Sequence, residues 1–205
     1  MSLVGIAVLV SGSGTILEAM VSAGLPIDVV VSDRPCYALE RATEHGIEAL
    51  LVERRAWGGF GPDFDRDGYS AELASALSAR KPAIIAMAGF GTVVGESFHD
   101  AFPGRILNTH PALLPAFPGW HGVEDALAAG VAVTGCTVHV AGLEVDTGPI
   151  LAQGEVAVRG DDTVDSLHER IKEVERRLYP ETIARVLEAI AAGAEPASLA
   201  EEQVA

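Results

Sequence analysis

Apolar positions along the chain follow two spacings. Short unbroken runs rich in Val, Ile and Ala cover 5–10, 27–32, 49–52, 83–87, 106–108, 134–140 and 150–158. Such runs suit strands buried on both faces; half-exposed strands alternate instead. Between most of them apolar residues recur at helical spacing, over 16–23, 38–45, 69–80, 123–129 and from Thr163 to about Ala191. This alternation predicts an α/β fold: an open, mostly parallel, Rossmann-like sheet with helices on both faces. The last two strands are joined by AGLEVDTGP, too short for a crossover helix, so an antiparallel pair is expected in the C-terminal part. The stretch RRAWGGFGPDFDRDG, 54–68, has no period and reads as an ordinary surface loop. No internal repeat is present, so 1–191 reads as a single domain and the small, acidic segment 192–205 as a flexible tail.

Composition narrows the classes. A chain of 205 residues builds its core without a disulfide or metal staple. No apolar run approaches the ~20 residues of a membrane helix. The opening MSLVGIAVLVSG lacks a basic n-region, so no signal peptide is read and a cytoplasmic location is expected, with no membrane partner. Lys and Arg number 14 against 29 Asp and Glu; the resulting net charge of -15 opposes attraction to a phosphate backbone, so no nucleic-acid partner is expected. Cys36 and Cys136 read as reduced, buried small residues.

The first candidate for chemistry is VLVSGSGTILEAM, which sets Gly12 and Gly14 between a strand and a helix. Helix N-terminal amides favour an anion, and glycines let it approach. A dinucleotide fingerprint needs a third glycine near Leu17, which is absent, although Asp33 stands where a ribose-binding acid belongs. A monophosphate site that adds the hydroxyls of Ser11, Ser13 and Thr15 fits better. A plain tight turn remains the bland reading.

The second is ILNTHPALLPAFPGWHG, in which Pro111, Pro115 and Pro118 stiffen a loop. Ligands of such sheets sit beyond the carboxyl ends of the strands, where Asn108 and His110 fall. Asp146 falls in the turn between the last two strands. An amide, an imidazole and a carboxylate suit acyl transfer without a covalent intermediate: Asn108 and a protonated His110 hydrogen-bond a tetrahedral oxyanion, and Asp146 supports the imidazolium or relays a proton. The bland alternatives are a turn-capping His110 and a turn-forming Asp146 ahead of Thr147-Gly148-Pro149. No G-x-S-x-G elbow supports a serine hydrolase. His110, His121 and His139 lack zinc-site spacing, so no metal is expected. A nucleotide-binding module or NAD oxidoreductase stays open as a reading of a different class.

The segment NTHPALLPAFPGWHG resembles the N-x-H-P-S/A-L-L-P signature of formyltransferases that use 10-formyltetrahydrofolate, and GCTVHVAGLEVDTGPILAQ is similar to that family's folate loop and its D-x-G-P/Q element. With SGSGT near the start and HERIKEVERRLYP near the end, the likeness extends over nearly the whole chain. It implies transfer of a formyl group from 10-formyltetrahydrofolate to the amine of 5'-phosphoribosylglycinamide in purine synthesis. A related folate-dependent N-formyltransferase or formyltetrahydrofolate hydrolase is the alternative. Asn108, His110 and Asp146 match the catalytic trio. Gly12, Ser13, Gly14 and Thr15 match the loop holding the substrate phosphate, and Glu175 an acid on the same substrate. Phe90, Gly91, Thr92, Val93 and Val94, with Val140, Ala141, Gly142, Leu143, Glu144 and Val145, match the folate walls. Phosphate and substrate binding would then lie in about 1–100, and folate binding and catalysis in about 84–191. The implied partners are small molecules, with a homodimer left open. The chain departs from the family at Thr15 and Ile16, where Ser and Asn are usual, and at Gly91-Thr92-Val93, where Met-Arg-Ile is usual and a cation is therefore lost. Arg66 is a candidate counterpart of a substrate-contacting Arg. His121 and His139 match family histidines, and His139, within an apolar strand, is open to two roles: orienting Asp146 or neighbouring backbone, or chemistry.

Overall fold

The computed structural model describes residues 5–203. Seven strands, β1 (Ile6–Val10), β2 (Ile27–Ser32), β3 (Glu48–Leu51), β4 (Ile84–Met87), β5 (Ile106–His110), β6 (Val133–Val140) and β7 (Ile150–Ala157), form a sheet in the order β3-β2-β1-β4-β5-β6-β7. β1 pairs in parallel with β2 and β4, as do β2 with β3 and β4 with β5. β6 and β7 pair antiparallel. The expected fold class is therefore observed. Helices α1 (Thr15–Ser22), α2 (Tyr37–Glu44), α3 (Arg66–Ser78), α4 (Glu96–Ala101), α5 (Gly122–Ala128) and α6 (Val164–Ala191) fill the connections.

The chain divides into two compact units within β5, between Leu107 and Asn108. In the first, every residue of β1 and β4 is buried, which is why both read as unbroken apolar runs. Leu17 and Met20 of α1 and Leu73 and Leu77 of α3 complete that core. In the second, Val123, Cys136, Val156, Leu167 and Ile171 form a cluster against which Val174 and Leu178 of α6 pack. Cys136 is buried there, and burial pushes its thiol pKa far up; Cys36 is only half-buried, beside the Ser32 hydroxyl.

Four local features differ from the sequence expectation. β5 runs on through His110 instead of stopping at Asn108. α3 begins at Arg66, three residues before Tyr69, because the Asp65 carboxylate accepts from the Gly68 amide and caps an earlier turn. α4, which the spacing does not predict, is only six residues long, too short for a helical period to show. The supposed loop 54–68 contains a 3-10 turn, Arg54–Trp57. α6 starts as expected, with a reciprocal capping box between Thr163 and Ser166. Within the segment read as a tail, Pro196–Gln203 forms a 3-10 helix against β7 and α6; residues 204–205 lie outside the described residues.

Candidate functional site

The second unit brings Asn108, His110 and Asp146 together. β5 carries the first two, and the β6–β7 connection carries Asp146. The His110 ring, only 3 % exposed, has an oxygen at each nitrogen: Nε2 donates to the Phe117 carbonyl at 2.7 Å, and Nδ1 lies 3.2 Å from Asp146 Oδ2. Carbonyl and carboxylate oxygens only accept, so a ring protonated at both nitrogens satisfies both at once. The two residues that supply these oxygens are themselves unusual. Phe117 (φ 56) and Asp146 (φ 58) are two of only three non-glycine residues with left-handed backbone among those described. Such conformations cost about 1–3 kcal/mol each and persist where surrounding structure enforces them, commonly at functional sites.

The Asp146 side chain is 5 % exposed. Burial alone would raise its pKa, but a hydrogen bond from His139, the Gly119 amide at 2.8 Å and the charge of His110 outweigh this and hold the carboxyl below its usual range. His139, in β6, is the group the sequence did not single out for the trio. Its Nε2 lies 3.3 Å from Asn108 Nδ2 and 3.5 Å from Asp146 Oδ1, and its Nδ1 lies 3.2 Å from the Val140 carbonyl. When Nε2 carries a proton it donates to Asp146; when bare, it accepts from the Asn108 amide. His139 thus bonds one of the two at a time, and it is the bond to Asp146 that helps lower that carboxyl's pKa. The place of His139 beside Asp146 agrees with one of the roles open to it from the sequence, whereas its approach to Asn108 leaves no sequence trace, because only tertiary pairing sets β5 beside β6. His121 is exposed and reaches Glu124 at 3.9 Å.

Glu175 projects from α6 and accepts from the Thr109 hydroxyl, between the two trio residues of β5. Burial raises its pKa more than this bond and the nearby Lys172 and Arg176 lower it. Of the expected folate wall in this unit, Leu143 and Val145 are exposed apolar side chains directly ahead of Asp146, and Val140 is buried.

The first unit holds the glycine loop. Gly14 has left-handed backbone (φ 77) at the start of α1, and a Cβ there would lie 2.9 Å from Ala38, so only glycine fits. α1 has no side-chain cap, leaving its first-turn amides for another acceptor. Gly12 and Ser13 are exposed. Glu18, an acid in that first turn, is neutralised by Arg41 at 3.2 Å and His45 at 3.1 Å. These features suit an anion at the loop. Ser11, however, is already engaged, its hydroxyl accepting from the Gly91 amide at 2.6 Å.

Asp33, the ribose acid of the dinucleotide reading, is spent on protein. It is 1 % exposed, and its oxygens accept from Arg34 Nε and Nη2 and from the Thr92 hydroxyl. The segment Phe90, Gly91, Thr92, Val93, Val94 stands beside it. An arginine of this unit reaches the segment: Arg54 Nη1 donates to the Thr92 hydroxyl at 2.9 Å and to the Gly91 carbonyl at 3.3 Å. Arg66 lies at the start of α3. No group of three His, Cys, Asp or Glu able to hold a metal occurs among the described residues, and none of their helices is long and apolar enough to cross a membrane.

The formyl transferase family profile matches residues 4–183. Phosphoribosylglycinamide formyltransferase of Mycobacterium tuberculosis (strain ATCC 25618 / H37Rv) is 44% identical over 182 residues, spanning 86% of this chain and 82% of that one. The crystal structure of glycinamide ribonucleotide transformylase 1 from Symbiobacterium toebii superposes with a TM-score of 0.79 at 42% identity, over 87% of this chain and 85% of that chain. Phosphoribosylglycinamide formyltransferase from Streptococcus pneumoniae TIGR4 gives 0.78 at 39% identity, over 86% and 95%.

Proposed function

The chain belongs to the formyl transferase family, and from that premise we propose that it moves a formyl group from 10-formyltetrahydrofolate to the amine of 5'-phosphoribosylglycinamide in purine biosynthesis, as a cytoplasmic enzyme. The observation that carries the reading is the clamp on His110. Two residues in costly backbone conformations aim oxygens at both of its nitrogens, and Asn108 is tied to the same cluster through His139.

The donor supplies a formyl carbon bonded to nitrogen; the protein's residues do the rest. As the acceptor amine bonds to that carbon, its carbonyl oxygen gains negative charge. Asn108 Nδ2, which need not donate to His139 while Nε2 of that ring is protonated towards Asp146, donates to this oxygen. His110, anchored at Nε2 by Phe117, shares its Nδ1 proton between Asp146 and the developing oxyanion. Preorganised donors of this kind are worth about 10²–10³ each in rate. Collapse breaks the carbon–nitrogen bond of the donor; the amine loses one proton and the departing nitrogen gains one, with the Asp146 carboxylate as the relay. The balance is neutral.

The same reading assigns supporting roles. Gly12, Ser13, Gly14 and Thr15 present backbone amides to the acceptor's phosphate, and Glu175 is directed to its hydroxyls. Exposed Leu143 and Val145, with the polar backbone of Ala141, Gly142 and Glu144, fit a flat heteroaromatic ring with donors and acceptors on one edge. Phe90 and Val93, both half-buried, offer a comparable surface in the first unit. The test is a formyl-transfer assay on phosphoribosylglycinamide. Formylated product is expected with 10-formyltetrahydrofolate and none with formate plus ATP. Product only from formate plus ATP, or hydrolysis of the donor without transfer, would refute the reading.

A further inference from the structure

A cavity of about 310 Å³ opens in the first unit where the turn after β2 meets the 3-10 turn after β3. Arg34, Arg54, Arg55 and Phe60 line it, with Asp33 and Glu53. A chain of net charge -15 has 14 basic residues in all, and three of them meet here against two carboxylates. Like charges repel, so this grouping needs a reason.

The fold uses only part of it. Arg34 and Arg54 both lie on the exposed Phe60 ring, 4.2 and 4.0 Å from its centroid, and Arg54 also lies 3.8 Å from that of Phe64. Gly91 makes room for Arg34, whose Nη2 would lie 2.8 Å from a Cβ at that position. Arg34 spends Nε and Nη2 on Asp33. Arg54 makes every one of its hydrogen bonds to neutral oxygens, those of Gly59, Gly91 and Thr92. Arg34 Nη1 and Arg54 Nη2 therefore keep their hydrogens, and exposed Arg55 has no partner among the described residues. Burial lowers the Arg54 pKa and no carboxylate bonds it in return, which is the electrostatic cost an anion would relieve. The two aromatic rings and three hydrogen bonds hold its fork in place beforehand, so little side-chain entropy remains to be lost on binding. Asp33 is 1 % exposed and both its oxygens already accept from protein donors, so it is not presented to a sugar hydroxyl.

We propose that this cavity is an oxyanion-binding site, distinct from the glycine loop, in which Arg34, Arg54 and Arg55 receive a multiply charged carboxylate or phosphate group. Arg54 joins it to the Gly91–Thr92 segment, so the site lies beside the donor wall of the first unit. Resting on the function proposed above, its two sources are the glutamyl carboxylates of a folate donor and a free phosphate.

The test is calorimetric titration of the full chain with two probes, tri-γ-glutamate and inorganic phosphate, on wild type, Arg55→Glu and Arg54→Lys. At least one probe is expected to bind wild type and to weaken about tenfold or more in Arg55→Glu, the scale of one lost charge-assisted hydrogen bond. Arg54→Lys, which keeps the charge and loses the fork, is expected to fall between. The probe that responds identifies the source. Arg55 holds no partner, so its variant tests the site without threatening the fold. If neither probe binds, or if both bind Arg55→Glu as tightly as wild type, the proposal is overturned, while formyl transfer in the separate assay is untouched by that result.

Discussion

Asp146→Asn isolates what the buried carboxylate does. Asparagine keeps the shape, tolerates left-handed backbone and can still accept from the Gly119 amide, so the variant removes chiefly the charge. That charge faces His110 Nδ1 at 3.2 Å and His139 Nε2 at 3.5 Å, in a side chain 5 % exposed. At an effective dielectric near 20, a pair at this separation interacts with about 5 kcal/mol before desolvation is counted. Desolvation of a buried pair offsets much of that, leaving about 3–4 kcal/mol, or on the order of 10²–10³ in rate, within the ~10²–10⁴ ascribed to a positioned proton-transfer group. Single-turnover formyl transfer at saturating substrates measures it. The fall is expected in kcat with KM little changed, because the charge serves a proton and an oxyanion that exist only as the reaction proceeds. A kcat within threefold of wild type, in a variant with unaltered circular dichroism, would refute the reasoning.

Three other substitutions probe the remaining parts. Glu175→Gln is expected to raise the melting temperature at neutral pH and weaken acceptor binding: burial raises the folded-state pKa of Glu175 above 4.5, so stability falls as pH rises through the window above 4.5, and the variant should lose that slope; an unchanged stability–pH curve contradicts this. Gly14→Ala forces a side chain into left-handed backbone and against Ala38, and should cost on the order of 1–3 kcal/mol in urea unfolding as well as phosphate affinity; neutrality in both would show the loop to be less constrained. Tyr69→Phe removes a fully buried hydroxyl with no hydrogen-bond partner among the described residues, so stability should hold or rise by up to about 1 kcal/mol; a clear loss would contradict this.

The parts legible in the sequence are those set by local pattern. β1 and β4 are wholly buried and so appear as unbroken apolar runs; the Thr163 cap announces α6; Gly12 and Gly14 mark a strand-to-helix turn. The members of the trio stand out because polar side chains at strand ends and in stiff loops have few structural uses. What stayed hidden depends on contacts distant in sequence. His139 was legible as a group able to orient Asp146, but its approach to Asn108 exists only once β5 and β6 lie side by side. Residues 54–68 read as an ordinary loop because an arginine stacked on Phe60 and Phe64 leaves no periodic trace. The bond from Arg54 to the Thr92 hydroxyl spans 38 residues of sequence and leaves no local trace either.

In the proposed mechanism His110, held by Phe117 and Asp146, acts on the oxygen of the group being transferred. The most direct measurement is the single-turnover rate of formyl transfer by His110→Ala beside wild type, with fold checked by circular dichroism. A folded variant slower by at least ~10² is predicted; a folded variant that transfers the formyl group at the wild-type rate would contradict the account.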